Sequence, residues 1–123
     1  MELILWRHAE AEDGVPDAAR ELTEKGLDQA KRMSAWLKLR LPENTLIIAS
    51  PTRRTQQTAM ALTSDFATKK EVAPGASVNS ILTAVNWPNE QGAVIVVGHQ
   101  PTLGEVASCL ITILPLGLSV KKG

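Results

Sequence analysis

The stretch LILWRHAE, residues 3–10, decides the fold that we expect for this chain. Its four apolar residues, 3–6, form the kind of run that a strand buried on both faces requires. The run ends at Arg7 and His8. A cation at the end of a buried strand is costly unless it lies at the carboxyl edge of the sheet, in a polar crevice where ligands bind. Arg7 and His8 are therefore a candidate site, although a solvated strand end explains one Arg-His pair equally well.

The composition bounds the class of protein. The 123 residues are 44% hydrophobic and 21% charged, which predicts one globular domain over residues 1–123. Thirteen basic and thirteen acidic side chains cancel, so no overall field favours nucleic acid or an anionic membrane, and any anion site must be local. The single cysteine, Cys109, lies in an apolar helical pattern, and we expect it to pack in the core.

The cellular compartment is predicted from absences in the sequence. A lone cysteine favours a reducing compartment. Met1 leads within two residues into the first strand, without a signal-type segment or a run long enough to span a bilayer. We therefore expect a cytoplasmic protein with no nucleic-acid or membrane partner.

Apolar runs and helical periodicities alternate along the whole chain. Strands are predicted at residues 3–6, 46–49 and 93–97, with a weaker one at 70–73 and the start of another at 118–123. Helices are predicted at residues 24–41, 51–63, 78–87 and 101–114, with a turn at 89–92. Thr23, Ser50 and Ser77 are the expected N-caps, and Leu27 is expected on the inward face of the first helix. The alternation predicts an α/β fold, a three-layer sandwich with a mostly parallel sheet and helices on both faces.

Polar groups follow each of the three clearest strands. They are Arg7 and His8 after the first, Ser50, Arg53 and Arg54 after the second, and Gly98 and His99 after the last. Ligands bind outside the carboxyl ends of parallel strands, so these groups should converge. Cations and the N–H groups at a helix N-terminus bind phosphate, and a glycine lets the backbone approach the phosphate closely. A metal site is the rival for two histidines, but no third ligand stands at an obvious spacing, and arginines repel a divalent cation.

Three sequence blocks carry a specific resemblance. Arg7-His8, the segment SPTRRTQQTA at residues 50–59 and Gly98-His99-Gln100-Pro101 resemble the RHG or RHA, SPxxRAxQTA and GHxP blocks of the histidine phosphatase (phosphoglycerate-mutase-like) superfamily. Residues 17–30 are similar to the small phosphohistidine phosphatases of the SixA type, on these positions: Asp17, Arg20, Leu22, Thr23, Gly26, Gln29 and Ala30. The resemblance implies a phosphoglycerate-mutase-like fold.

The resemblance also implies roles for single residues. His8 corresponds to the nucleophile that becomes phosphorylated, and Arg7, Arg54 and His99 correspond to the groups that hold the phosphoryl group. Ser50 and Gly98 are further candidates for phosphate binding, although Ser50 is also explained as a helix cap. Nearby arginines should lower the pKa of His8 and keep it neutral, whereas His99 should be protonated when phosphate is bound. No cofactor or metal is expected.

The sequence departs from the family pattern at two places. Larger relatives carry an acid between the second and last blocks that protonates the leaving group, and residues 72–88 contain none. Phosphomonoester cleavage is therefore in doubt, with Glu10, Glu12 and Asp13 as the remaining candidate acids. Residues 118–123 resemble the start of the final strand of the family and then stop, so we expect a chain truncated at the C-terminus.

The leading hypothesis is a phosphohistidine phosphatase that acts on a phosphohistidine-bearing protein of a phosphorelay or phosphotransfer system. One alternative is a phosphatase of a small phosphorylated metabolite. Another is a non-catalytic module that binds phosphate or docks phosphoproteins. The presence of both His8 and His99 argues against the non-catalytic module, because binding alone requires no nucleophile.

Overall fold

A computed structural model describes residues 2–87, 92–113 and 120–122 of the chain, the residues 111–113 and 120–122 by their backbone. Strands and helices alternate as predicted. The strands are β1 (Glu2–Arg7), β2 (Leu46–Ala49), β3 (Ala67–Thr68), β4 (Ala93–Gly98) and β5 (Val120–Lys122). The helices are α1 (Glu24–Lys38), α2 (Arg53–Leu62), α3 (Val78–Ala84) and α4 (Thr102–Ile113), with short 3₁₀ helices at Asp17–Ala19 and Lys70–Val72.

The strands form one sheet in the order β3-β2-β4-β1-β5, and each pairing among the described strands is parallel. β1 and β4 lie inside the sheet, and their apolar residues are buried, as the continuous apolar runs predicted. One face packs on α3 and α4 through a cluster that includes Leu3, Leu5 and Val96. The other packs on α1 and α2 around Ile4 and Trp6. The predicted three-layer α/β sandwich is confirmed.

The structure corrects one predicted strand. Residues 70–73 do not extend: Lys70–Val72 is a 3₁₀ helix, and the strand of this region is the two-residue β3 just before it. Burial explains the difference, because Val72 is 1% exposed and packs in the core with α3, while its polar neighbours stay at the surface. The final predicted strand appears as β5, which pairs with β1. Residues 89–91 of the turn predicted at 89–92 lie outside the described part of the chain.

The helix caps agree with the sequence at two of three positions. Thr23 accepts a hydrogen bond from the Gly26 amide, and Ser77 caps α3 through the Ser80 amide. The prediction for Ser50 is wrong, because α2 begins at Arg53 and the residue at its N-cap position is Thr52.

The inward face of α1 differs from the prediction at one position. Leu27 is 48% exposed, and the buried residues are Gly26, Ala30, Ser34 and Leu37. Among the described residues, no helix combines the length and the apolar character needed to cross a membrane.

The first turn of α1 lies directly against the loop that leaves β1. A Cβ atom built on Gly26 would lie 1.9 Å from the carbonyl oxygen of Glu10. The same oxygen accepts a hydrogen bond from the Thr23 amide at 3.0 Å, and the Glu10 amide donates to the Gln29 side chain at 3.1 Å. The loop that follows His8 is therefore attached to α1 at a point where only glycine leaves room.

We expect Gly26→Ala to destabilise the protein by about 1–3 kcal/mol, the range for overpacking against an unyielding neighbour. An unpacked helix site would instead gain up to ~1 kcal/mol from alanine. Denaturant unfolding measures the change, with Lys25→Ala as the matched control on the exposed side of the same turn, expected within about 0.5 kcal/mol of the unsubstituted chain. Equal or greater stability of Gly26→Ala would show that the loop yields.

Candidate active site

The register of the sheet brings the three polar strand ends together. The amide of His8 donates to the Gly98 carbonyl at 3.1 Å, and the amide of Ser50 donates to the Val97 carbonyl at 3.1 Å. His8, Ser50 and His99 therefore follow three adjacent parallel strands at the same edge of the sheet. The convergence predicted for the strand ends is confirmed for these residues, while their catalytic roles stay predictions.

The imidazole of His8 is held in one tautomer. Its Nδ1 lies 2.7 Å from the carbonyl oxygen of Ala9. A carbonyl only accepts, so Nδ1 carries the proton, and the lone pair of Nε2 is available. The Ala9 amide donates to the Thr58 hydroxyl at 3.1 Å, and that hydroxyl donates to the Arg54 carbonyl at 2.8 Å. Helix α2 thus anchors the backbone that orients His8. Thr58 lies one helical turn after Arg54 inside the second sequence block, a spacing that could have indicated it.

The pKa of His8 lies below its ordinary value. Burial of the ring is the largest cause, and the charges of Arg54 and Arg7 lower this pKa further, against the opposing effect of the Ala9 hydrogen bond. The predicted direction is confirmed, but the sequence interpretation credited the arginines alone, since burial of a strand-end side chain cannot be read from the sequence. A neutral His8 has a free electron pair on Nε2.

Arg54 is a buried cation with one donor left over. It is 4% exposed. Its Nη1 donates to the Asp17 carbonyl at 2.9 Å, and its Nη2 donates to the Asp17 carboxylate at 3.1 Å. Its Nε is buried without a hydrogen-bond partner among the described residues. An unsatisfied buried donor typically costs about 1–3 kcal/mol, so this atom favours an anion beside it. The neighbouring Arg53 is exposed and pairs with Glu21 at 3.4 Å, so it lies outside this buried group.

His99 joins Arg54 to the rest of the site. Its Nδ1 lies 3.5 Å from Nη2 of Arg54, at the limit of a hydrogen bond, and its Nε2 lies 2.8 Å from the Ser50 hydroxyl. The centres of the His8 and His99 rings are 5.3 Å apart. Burial, followed by the charges of Arg54 and His8, lowers the pKa of His99 to about 4. His99 is therefore neutral at pH 7 in the unliganded protein. Ser50 contacts this ring instead of capping α2, and its predicted contact with phosphate stays a prediction.

The remaining predicted residues lie around this group. Arg7 is exposed and lines, with His8 and Glu10, a cleft of about 510 Å³. Glu10 is thus the candidate acid that shares a cleft with His8, and its carboxylate accepts a hydrogen bond from the Thr23 hydroxyl at 2.8 Å. Gly98 accepts the His8 amide, and a Cβ atom there would meet the Leu103 side chain at 3.4 Å, so this glycine also makes room for α4.

The other two candidate acids, Glu12 and Asp13, line a separate hollow. In the part of the chain that the structure describes, no group of three or more His, Cys, Asp or Glu side chains is placed to hold a metal ion.

Several known proteins are similar to this chain in sequence and in fold. Residues 3–77 match the model of the histidine phosphatase superfamily, branch 1. Over 113 residues the chain is 28% identical to phosphohistidine phosphatase SixA of Escherichia coli strain K12, covering 85% of this chain and 70% of that protein.

Two solved structures resemble the chain at similar levels. One, provisionally assigned as phosphohistidine phosphatase SixA from Nakamurella multipartitia, is 34% identical with a TM-score of 0.76, over 85% of this chain and 62% of that one. The other, the protein histidine phosphatase SixA complexed with tungstate, is 27% identical with a TM-score of 0.76, over 85% of this chain and 74% of that one. The chain therefore spans between about three fifths and three quarters of the length of these relatives. Because the matched residues 3–77 are more than half of the sequence and include the first two blocks, the chain belongs to the histidine phosphatase superfamily, branch 1, and to the hydrolases.

Proposed function

We propose that this chain is a phosphohistidine phosphatase, which transfers the phosphoryl group of a protein-bound phosphohistidine to His8 and then to water. The orientation of His8 carries the proposal: its Nδ1 is hydrogen-bonded to the Ala9 carbonyl, and its ring is 5.3 Å from that of His99. His99 in turn lies 3.5 Å from Nη2 of Arg54, whose buried Nε has no partner among the described residues. A fixed, neutral nucleophile beside an unfilled buried donor suits phosphoryl transfer.

In the first step, the lone pair of His8 Nε2 attacks phosphorus in line with the substrate's P–N bond. A new P–N bond forms on His8, the bond to the substrate imidazole breaks, and the departing imidazole takes its proton from solvent. Charge on the equatorial oxygens is offset by Arg54 and Arg7. His99 takes up a proton as the phosphoryl group binds, because the negative charge offsets the effects that lower its pKa in the unliganded site.

In the second step, water attacks the phosphorus of the phosphorylated His8. The P–N bond to His8 breaks, inorganic phosphate leaves, and the proton of the water passes to solvent or to phosphate. Because Ala9 holds Nδ1–H throughout, His8 returns to the tautomer in which it began. The histidine departs in this step as a weak base, so neither step requires a strong protein acid.

The missing acid supports phosphohistidine over a phosphomonoester. An alkyl ester expels an alkoxide and needs a proton donor, which typically contributes ~10²–10⁴-fold in rate. Residues 72–88, where larger relatives carry that donor, contain no acid. In the described part of this segment, α3 packs on α4 and on the 3₁₀ helix Lys70–Val72, against the sheet face that carries Leu3 and Leu5.

A protein substrate also agrees with the names of the relatives, phosphohistidine phosphatase SixA and protein histidine phosphatase SixA. We propose a phosphorelay or phosphotransfer protein as the partner. As part of this proposal, residues 1–123 form a single domain. The small-metabolite phosphatase and the non-catalytic module are the alternatives that the experiments below distinguish.

We expect rapid quench with labelled phosphoramidate to trap an acid-labile, alkali-stable phosphoenzyme. His8→Ala should lose the label and about a thousandfold or more of the rate, since the covalent nucleophile is gone. His99→Ala is the matched control, because it alters the neighbouring ring and leaves the nucleophile, so the label should persist while forming more slowly. Equal labelling of His8→Ala would assign the nucleophile elsewhere, and the absence of any turnover or label in the unsubstituted chain would favour the non-catalytic module.

A series of leaving groups separates the two enzyme hypotheses. We expect rates to fall steeply from phosphohistidine protein and phosphoramidate, through aryl phosphates of rising phenol pKa, to alkyl phosphates, because no acid assists departure. Glu10→Gln should leave the steepness unchanged. A flat profile that becomes steep in Glu10→Gln would identify Glu10 as a general acid and make the metabolite phosphatase the better hypothesis.

The stability of the unliganded chain should depend on pH through His99. Its pKa of about 4 in the folded state is below the ordinary value of 6.5, so the unfolded chain binds this proton more tightly. The stabilisation is complete above pH ~6.5 and is lost as the pH falls towards 4, by about 2 kcal/mol between pH 7 and 5. Denaturant unfolding at both pH values measures the free energy of unfolding. Between pH 7 and 5, this free energy should fall by about 2 kcal/mol less in His99→Asn than in the unsubstituted chain. Parallel losses, or an NMR titration of His99 near pH 6.5, would contradict the assignment.

A further inference from the structure

We propose that Asp17 is a positioning residue that holds the guanidinium of Arg54 so that one edge stays open for the phosphoryl group. The inference rests on the proposed function for its ligand. It assigns a role to a loop residue outside the three sequence blocks, at the start of the 3₁₀ helix Asp17–Ala19.

The two edges of the Arg54 guanidinium are used differently. The end edge, formed by Nη1 and Nη2, is filled by one residue: the Asp17 carbonyl accepts from Nη1 at 2.9 Å and its carboxylate accepts from Nη2 at 3.1 Å. Two bonds to one planar group fix its orientation as well as its position. On the side edge, formed by Nε and the second hydrogen of Nη2, the one contact among the described residues is with His99 Nδ1, 3.5 Å from Nη2 and at the limit of a hydrogen bond.

The side edge has the properties of an anion site. Arg54 is only 4% exposed, and its buried Nε has no hydrogen-bond partner among the described residues. A buried donor without an acceptor is unfavourable. A ligand oxygen at this edge would therefore accept a hydrogen bond from Nε that no described residue accepts. Nη2 lies 3.5 Å from His99, whose ring centre is 5.3 Å from that of His8. The open edge therefore belongs to the group of residues around the nucleophile.

Asp17 is itself held in place. Nη1 of Arg20 donates to its other carboxylate oxygen at 2.9 Å, and Nε of Arg20 donates to the Glu12 carbonyl at 2.6 Å. The Asp17 carboxylate thus bridges two arginines, and their hydrogen bonds lower its pKa, Arg20 first. Its side chain is 59% exposed, so water screens its charge. Orientation of Arg54 is then the larger effect of this contact, and neutralisation of Arg54 the smaller one.

The experiment compares three variants of the full chain. Asp17→Ala removes the carboxylate and keeps the backbone carbonyl. Asp17→Asn keeps an oxygen that accepts from Nη2 but removes the charge. Glu21→Ala removes one charge from the same loop at a side chain that is also 59% exposed and that pairs with the solvent-exposed Arg53. Turnover of phosphoramidate gives kcat and KM, and the ¹H–¹⁵N resonance of Arg54 Nε, with and without tungstate, reports the open edge directly.

We expect Asp17→Ala to lower kcat by roughly 10- to 100-fold, the scale of a small misplacement of a catalytic group, with KM changed less than threefold. Asp17→Asn should recover kcat to within about fivefold of the unsubstituted chain, and Glu21→Ala should stay within about twofold. Tungstate should shift the Arg54 Nε resonance in the unsubstituted chain and in Asp17→Asn, and this shift should be lost or broadened in Asp17→Ala.

Three outcomes would overturn the proposal. An Asp17→Ala rate within twofold of the unsubstituted chain would show that Arg54 needs no positioning. An equal fall in Glu21→Ala would assign the effect to the charge of the loop, and an Asp17→Asn variant no better than Asp17→Ala would assign it to the charge of Asp17. The resonance requires no turnover: a tungstate shift that depends on Asp17 in a chain without phosphatase activity would retain the positioning role and reject the proposed function.

Discussion

The parallel pairing of β1 with β4 is the constraint on which the site depends, because it determines which side chains lie next to each other at the carboxyl edge of the sheet. Every apolar residue of the two strands is buried, so a slip of register would carry a charged end of β1, Glu2 or Arg7, into the apolar interior. The bond from the His8 amide to the Gly98 carbonyl closes this ladder at its carboxyl end. His8 and His99 are neighbours for that reason, without any direct bond between their side chains.

The chain between β1 and α1 returns across the site and is attached to both helices of that face. Gly26 brings α1 against the Glu10 carbonyl, and Thr58 of α2 accepts the Ala9 amide. The Leu22 amide donates to the side chain of Gln57 at 2.7 Å, again from α2. A loop whose regular structure is limited to a short 3₁₀ helix and one β-bridge thereby acquires the fixed backbone that a nucleophile needs, since preorganised groups require no rearrangement during reaction.

The site combines one buried cation with two histidines that burial keeps neutral. Arg54 lowers the pKa of both His8 and His99, and the two rings share the same edge of the sheet. This arrangement places positive charge in a confined space, together with the Nε of Arg54, which has no hydrogen-bond partner in the described part of the chain. A phosphoryl group supplies the missing negative charge and acceptors, and it makes protonation of His99 favourable. Electrostatics and hydrogen bonding therefore both favour binding of the same kind of group.

The sequence by itself determined the α/β class and the residues at the strand ends. Strands buried on both faces must be continuous apolar runs, and the polar residues that follow β1, β2 and β4 then meet at one edge. Local patterns failed where burial overrides them: residues 70–73 read as a strand, yet Val72 enters the core from a 3₁₀ helix. Only the tertiary structure decided that Asp17 holds Arg54 and that Ser50 contacts His99. These pairs are 37 and 49 residues apart, and their contacts arise from the return of a loop and the order of strands, which no local spacing encodes.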